Sequence, residues 1–170
     1  AMNIDGLGDE TIRLFYDLGF LRDIADIYNL NYDEISKIEG YGEKSAENLR
    51  LGIEESKLNP FQKVLFAIGI RYVGESASKK IIKNVDSIDK LAHMDVESLS
   101  SIDEIGDKTA KSIVDFFSDI NNIQIINKLK SSGLNFYQKD NDTHSAKLNG
   151  KIFVISGVFE SHSRDEIKNI

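Results

Sequence analysis

The sequence predicts an all-α domain built from four similar helical hairpins. The first observation is a repeated pattern, in which two apolar residues three positions apart precede a glycine and a helical pattern follows. That glycine falls at Gly8, Gly42, Gly74 and Gly106, with spacings of 34, 32 and 32 residues. The second observation is that apolar residues recur at helical spacing between the repeats. The third is the abundance of glycine, 12 residues against a single proline, which favours tight turns between helices.

The first half of the chain predicts two helices, each following a glycine of the repeat. Residues 11–18 form an amphipathic pattern that ends at Gly19, a residue type that commonly follows a helix C-terminus. After Gly42, apolar residues at helical spacing predict a second helix, carried by Ala46, Leu49 and Ile53.

The second half predicts three further helices with clear boundary signals. Asn59 and Pro60 predict a helix start, with asparagine as the N-cap and proline at the first helical position, and Gly69 predicts its end. The pattern after the fourth repeat predicts another helix. Asn122 is the predicted cap of the last helix, and Gly133 its end.

The composition changes near residue 138, which predicts a domain boundary. Residues 138–147 are polar and without periodicity, so they are interpreted as a linker. Residues 151–156 are the one predicted strand, because they are rich in β-branched residues and bounded by glycines. The predicted organisation is therefore a helical domain over 1–137, the linker, and over 148–170 the truncated start of an α/β domain.

Charge and composition exclude several classes of function. The chain lacks cysteine and has three scattered histidines, so it has no thiol nucleophile, and no metal site or catalytic residue is predicted. It has neither a long apolar run nor a signal peptide pattern at its start, so no membrane contact is expected. The net charge of −7 argues against binding nucleic acid, but residues 61–83 hold five basic residues and one acidic residue.

The repeated hairpins suit the binding of a polyanion. Glycine allows a positive φ and a close approach by another backbone, and the loop leads directly into a helix N-terminus. Free N–H groups and the helix dipole favour an anion at that position. The phosphates of duplex DNA fit this requirement, and binding through phosphates reads no base sequence. The hairpins by themselves therefore indicate a polyanion such as DNA, bound without sequence preference.

The candidate DNA-binding residues lie in or beside the last three hairpins. Some are glycines of the turns, others are basic or hydroxyl side chains close to a helix start, and the alternative for them is an ordinary turn glycine or a solvated side chain. The first hairpin lies in the most acidic part of the chain, where packing is an equal alternative to DNA contact. The candidates are Gly40, Gly42, Lys44, Arg71, Gly74, Lys79, Gly106, Lys108 and Thr109.

The pattern resembles the helix–hairpin–helix (HhH) motif. Four such motifs in two tandem pairs, at this spacing, resemble the HhH domain of bacterial NAD-dependent DNA ligases. The segments that carry the resemblance are 3–8, 42–49, 65–75 and 112–117. Residues 148–157 resemble the first strand of a BRCT domain, which follows the HhH domain in these ligases.

The resemblance implies a parent enzyme that seals nicks in duplex DNA during replication and repair. Such an enzyme adenylates a lysine from NAD and uses Mg²⁺ and a zinc finger, whereas these residues would form only its DNA-clamping part. The segment is therefore expected to hold no cofactor and no small-molecule site, and to be inactive alone. A monomer, associated with the nucleoid in the bacterial cytoplasm, is expected.

Two residues depart from the HhH pattern, and two other functions stay open. Tyr72 and Glu104 occupy the position of the first glycine in the third and fourth hairpins, and Glu104 would bring a negative charge near a phosphate. One alternative is the HhH region of another repair protein, such as an excision nuclease subunit. The other is a BRCT-type protein-interaction scaffold, which the acidic balance favours. DNA binding that weakens with salt would distinguish DNA contact from a scaffold.

Overall fold

The computed structural model describes residues 1–138, which lie in the unit Ala1–Lys139. These residues form α-helices, one 3-10 helix at Asp26–Asn29 and an isolated antiparallel bridge between Ser87 and Tyr137. The predicted helical fold is thus confirmed for this part of the chain. In order, the helices are α1 (Asp9–Asp17), α2 (Tyr32–Ile35), α3 (Glu43–Ser56), α4 (Phe61–Ala67), α5 (Glu75–Asn84), α6 (Ile88–Ala92), α7 (Val96–Ser100), α8 (Asp107–Ser118) and α9 (Ile120–Ser131).

The predicted helix ends at glycine are confirmed. Gly19, Gly69 and Gly133 each follow a helix C-cap and have φ values of 80°, 80° and 91°. This left-handed conformation is the one that glycine adopts without steric cost after a helix. The sequence therefore located the ends of α1, α4 and α9 to within two residues.

The predicted cap of α4 is wrong by one residue. Pro60 has extended backbone, with φ −67° and ψ 156°, and is itself the N-cap, so α4 begins at Phe61. The Asn59 side chain instead donates hydrogen bonds to the carbonyl oxygens of Met2, at 3.1 Å, and Ser56, at 2.9 Å. Asn59 therefore ties the start of the chain to the end of α3.

The predicted cap of α9 is also wrong. Asp119 is the single residue between α8 and α9, and its carboxylate accepts a hydrogen bond from the Asn121 N–H at 2.8 Å. Asn122 lies inside α9, and its side-chain amide donates to the Phe116 carbonyl oxygen at 3.0 Å. The short connection makes Asp119 the only residue available between the two helices to cap α9.

Two apolar cores hold the helices together. The first core lies among α1, α2 and α3, and the second lies among the helices from α4 through α9. The Tyr28 side chain packs against both cores. Burial of each large apolar side chain stabilises the fold by about 1.5–3 kcal/mol. The first core is centred on Phe15, Ile35, Leu49 and Ile53. The largest fully buried residues of the second are Phe61, Leu65, Ile81, Ile88, Leu91, Leu99 and Ile113.

Polar contacts connect helices of the two cores, and another hydrogen bond holds the last described residue against the fold. The Lys128 ammonium lies 2.8 Å from the Asp23 carboxylate, which connects α9 to the loop after α1. The Gln138 N–H donates to the Asp86 carbonyl oxygen at 2.7 Å, beside the Ser87–Tyr137 bridge. The predicted linker from residue 139 onward, the strand at 151–156 and the BRCT-like segment 148–170 lie outside the described residues.

Candidate nucleic-acid interface

The four repeats fold into the same turn. In each, the N–H of the fourth residue donates to the carbonyl oxygen of the first, at 3.3, 2.9, 2.9 and 3.0 Å in chain order. The third residue has a positive φ, of 79°, 83°, 66° and 65°, as a type II turn requires. The fifth residue is the glycine that begins a helix. We number the turns one to four: Ile4–Gly8, Ile38–Gly42, Ile70–Gly74 and Ile102–Gly106.

Turns three and four place a non-glycine residue in the left-handed region. Tyr72 and Glu104 have a positive φ within 20° of that of Gly6 and Gly40 in the first two turns, so all four turns have a similar backbone conformation. This conformation costs an L-residue about 1–2 kcal/mol. In turn three the flanking Ile70 is buried, and the equivalent residues of turn four are buried as well, which holds these turns in place.

Neither backbone conformation nor internal packing requires glycine at the start of these four helices. Gly8, Gly42, Gly74 and Gly106 are exposed and have φ between −79° and −123°, which any residue adopts. A Cβ built at these positions meets no atom within 4 Å. The space in front of each glycine is therefore open to a partner that approaches the backbone closely.

The helices that begin at these glycines also have no side-chain cap. α1, α3, α5 and α8 lack a capping hydrogen bond, and so does α4 after Pro60. The remaining α-helices are capped by the side chains of Asn31, Ser87, Asp95 and Asp119. Uncapped N–H groups at a helix N-terminus attract an anion, so the four turns offer backbone donors that the capped helices do not.

Each of the four helices starts with an acidic residue, a feature that is absent from the sequence predictions. Asp9, Glu43, Glu75 and Asp107 follow the glycines directly. A carboxylate there stabilises the helix dipole but repels a phosphate, so basic residues are needed beside each turn that binds DNA.

A lysine follows the acidic first residue of the helix after turn two and of the helix after turn four. Lys44 and Lys108 are exposed in the first turn of α3 and α8, and neither has an ion-pair partner within 4.0 Å among residues 1–138. Thr109 is half-buried, and its N–H already donates to the Gly106 carbonyl oxygen at 2.9 Å, so its hydroxyl is the group left for an anion. Gly40 provides the positive φ of turn two.

Turn three carries exposed cationic groups on both sides of Gly74. The Arg71 guanidinium lies 5.0 Å from the centre of the Tyr72 ring, a cation–π contact. Lys79 lies one helical turn into α5, is exposed, and forms no ion pair within the described residues. The structure thus gives turn three an accessible positive charge.

Turn four is linked to the helix of turn three by Lys80, which is absent from the candidates named from the sequence. Its ammonium lies 2.7 Å from the Glu104 carboxylate and 3.4 Å from that of Asp103. The hydrogen bond to Glu104 is the main cause that raises the pKa of Lys80 above its usual value. The basic run over 61–83 contains Lys80, but only the tertiary structure pairs it with Glu104.

Turn one packs against the protein instead of presenting basic groups. A Cβ at Gly52 of α3 would lie 2.9 Å from the Asp5 carbonyl oxygen, so the turn approaches this helix too closely for a side chain. Tyr41 of turn two donates a hydrogen bond to the Thr11 hydroxyl at 2.8 Å, which joins turn two to α1, the helix that follows turn one. Gly52 is absent from the sequence predictions, although a glycine inside a helical pattern is a signal of close packing.

Two further properties concern the described residues as a whole. Within residues 1–138, no three acidic or histidine side chains are grouped so that they could hold a metal ion. None of the helices in this part of the chain is long and apolar enough to cross a membrane.

Two family models match the helical part of the chain. Residues 1–55 match the SAM-like helix-hairpin-helix tandem, and residues 63–126 match the helix-hairpin-helix motif. The two matches together include all four turns.

Relatives named DNA ligase match the chain from end to end. The DNA ligase of Bacteroides fragilis is 49% identical over 172 residues, and that of Phocaeicola vulgatus is 50% identical over 172 residues. Both alignments cover 100% of this chain and 26% of the relative, and the DNA ligase of Flavobacterium psychrophilum is 48% identical with similar coverage. The chain thus spans about a quarter of these proteins, and it is homologous over its whole length to a segment of the bacterial proteins named DNA ligase.

Proposed function

We propose that this chain binds duplex DNA through its phosphates, without reading the base sequence, as the HhH part of a DNA ligase. The observation that carries the proposal is the set of exposed, uncapped helix N-termini behind Gly42, Gly74 and Gly106. Glycine is required there neither by φ nor by internal packing, and the missing side chain leaves each helix N-terminus open to a partner that approaches the backbone. The four turns are then four HhH motifs in two tandem pairs, one around each apolar core.

The charges near the turns determine which of them contact DNA. Turns two and four have Lys44 and Lys108, and turn three has Arg71 and Lys79, to offset the acidic residue at each helix start. Turn one has acidic residues on both sides and packs on α3, so we place it outside the DNA footprint. With about four phosphate contacts, the logarithm of the binding constant should fall with the logarithm of salt concentration at a slope of about −3 to −4.

The proposal extends to the whole protein as its relatives suggest. The parent enzyme would seal nicks during replication and repair in the bacterial cytoplasm, near the nucleoid, and would act as a monomer. The NAD, Mg²⁺ and zinc that the resemblance implies would be used by other parts of the parent protein. Residues 138–147 would be the linker and 148–170 the start of a BRCT domain.

A gel-shift titration on nicked and intact duplexes tests this function. The 170-residue chain is titrated at two or more low salt concentrations with two unrelated base sequences. We expect a shift at low salt, a slope near −3 to −4, equal affinity for both base sequences and tighter binding to the nicked duplex.

A protein-interaction scaffold is the alternative that the net charge of −7 favours. It predicts no shift on any duplex at the lowest salt, which would refute DNA binding by this chain. An HhH region of an excision nuclease would bind DNA as well, but the relatives found are named DNA ligase.

A further inference from the structure

The fourth turn carries more acidic than basic side chains on its own segment. Asp103, Glu104 and Asp107 lie within five residues, against Lys108 alone on the same segment. Glu104 also occupies the strained left-handed position of the turn. The exposed carboxylates of Asp103 and Glu104 beside a phosphate would oppose binding, so this turn needs a cation from elsewhere in the fold.

Lys80 provides that cation from the helix of the neighbouring turn. It reaches from α5 to Glu104 at 2.7 Å and to Asp103 at 3.4 Å, a sequence separation of more than twenty residues. Its side chain is 30% exposed, whereas Lys79 and Lys83 on the same helix are exposed and form no ion pair within residues 1–138. The three lysines are close in sequence, yet among the described residues only Lys80 forms ion pairs with carboxylates of the protein.

We propose that Lys80 is a positioning residue for DNA binding, which neutralises Glu104 and Asp103 and holds turn four beside turn three. This inference rests on the proposed DNA binding. Because its ammonium is already bonded to carboxylates, Lys80 acts through turn four and does not contact a phosphate. Removing it should leave two repulsive carboxylates beside the DNA, whereas removing Glu104 as well should relieve that repulsion.

A double-mutant cycle on the 170-residue chain tests the proposal. Affinity for a nicked duplex is measured by gel shift over several salt concentrations for wild type, Lys80→Met, Glu104→Gln and the double variant. We expect Lys80→Met to bind about five-fold more weakly, on the scale of an exposed ion pair, and Glu104→Gln to bind no more weakly than wild type. The double variant should recover most of the loss. The salt slope of Lys80→Met should match that of wild type.

Controls separate charge from folding. Lys83→Met removes an exposed lysine of the same helix and should bind within two-fold of wild type. Lys80→Arg keeps a cation that can bond both carboxylates, so it should retain affinity. Thermal melting of each variant shows that it is folded.

Two results would overturn the inference while leaving the proposed function intact. One is a loss in Lys80→Met that persists undiminished in the double variant. The other is a salt slope for Lys80→Met that is smaller by about 0.9, the signature of a direct phosphate contact. If the wild-type chain itself fails to bind any duplex at low salt, the proposed function fails, and the inference fails with it.

Discussion

Substitution of Gly74 separates DNA binding from folding. Gly74 is the N-cap of α5, with φ −79° and ψ −177°, and a Cβ there meets no atom within 4 Å. Alanine is a poorer N-cap than glycine by about 0.5–1 kcal/mol. It also reduces the entropy of the unfolded chain, which stabilises the fold by about 0.4–1 kcal/mol. These effects nearly cancel, so Gly74→Ala should leave the free energy of unfolding almost unchanged.

DNA affinity should respond quite differently. A side chain at Gly74 occupies the space through which a phosphate would reach the N–H groups of α5. Loss of one hydrogen bond to a charged group costs about 1.5–3 kcal/mol, which corresponds to a loss of affinity of about ten-fold or more. We expect a graded effect, with Gly74→Val binding more weakly than Gly74→Ala, measured by gel shift on a nicked duplex at constant low salt.

Gly8→Ala and Gly8→Val are the matched controls. Gly8 is likewise an exposed N-cap with open space in front of it, but it begins the acidic first turn. These variants should bind DNA as wild type does, and thermal melting should show every variant folded. Wild-type affinity in Gly74→Val would refute a role for turn three, and an equal loss in Gly8→Val would refute the exclusion of turn one.

Three further predictions concern charge and packing. Replacing Arg71 and Lys79 together by alanine should reduce the salt slope of DNA binding by about two; an unchanged slope would remove both from the footprint. Gly52→Ala should lower the melting temperature, because overpacking costs about 1–3 kcal/mol against about 1 kcal/mol of helix propensity; an unchanged melting temperature would contradict the close contact. Burial raises the pKa of Asp23, but hydrogen bonds from Lys128 and backbone N–H groups outweigh it and lower the pKa. A lowered pKa stabilises the fold above about pH 4, and this contribution is lost as the pH falls through the folded-state pKa. Melting curves of Asp23→Asn should therefore lose less stability on acidification than those of wild type, and identical profiles would refute the ion pair's role.

Local signals allowed most of the helical architecture to be predicted. The repeat placed the four turns, because two apolar residues three positions apart and the N-cap glycine recur within five residues in each of them. The positive φ of the third residue is marked by glycine only in turns one and two. Glycines after α1, α4 and α9 marked helix ends for a similarly local reason. The caps of α4 and α9 were wrong, because Asn59 and Asn122 hydrogen-bond to carbonyl groups of other segments instead.

In the candidate interface, too, local spacing predicted some residues, whereas the tertiary structure determined the contacts of others. The positions of Lys44, Arg71, Lys79 and Lys108 follow from their spacing to the turn glycines, so the sequence alone identified these exposed cations. Whether a lysine is accessible or paired depends on what the fold brings beside it.

By itself, the sequence determined that residues 1–138 contain four helices that begin at a turn glycine, with basic residues near three of those turns. Only the tertiary structure decided that Lys80 of α5 pairs with Glu104 of turn four, and that the backbone of Asp5 lies close against Gly52. Turns and caps depend on the conformational limits of a few consecutive residues. Ion pairs and close backbone contacts depend on which distant segments the two apolar cores bring together, and no local pattern encodes that choice.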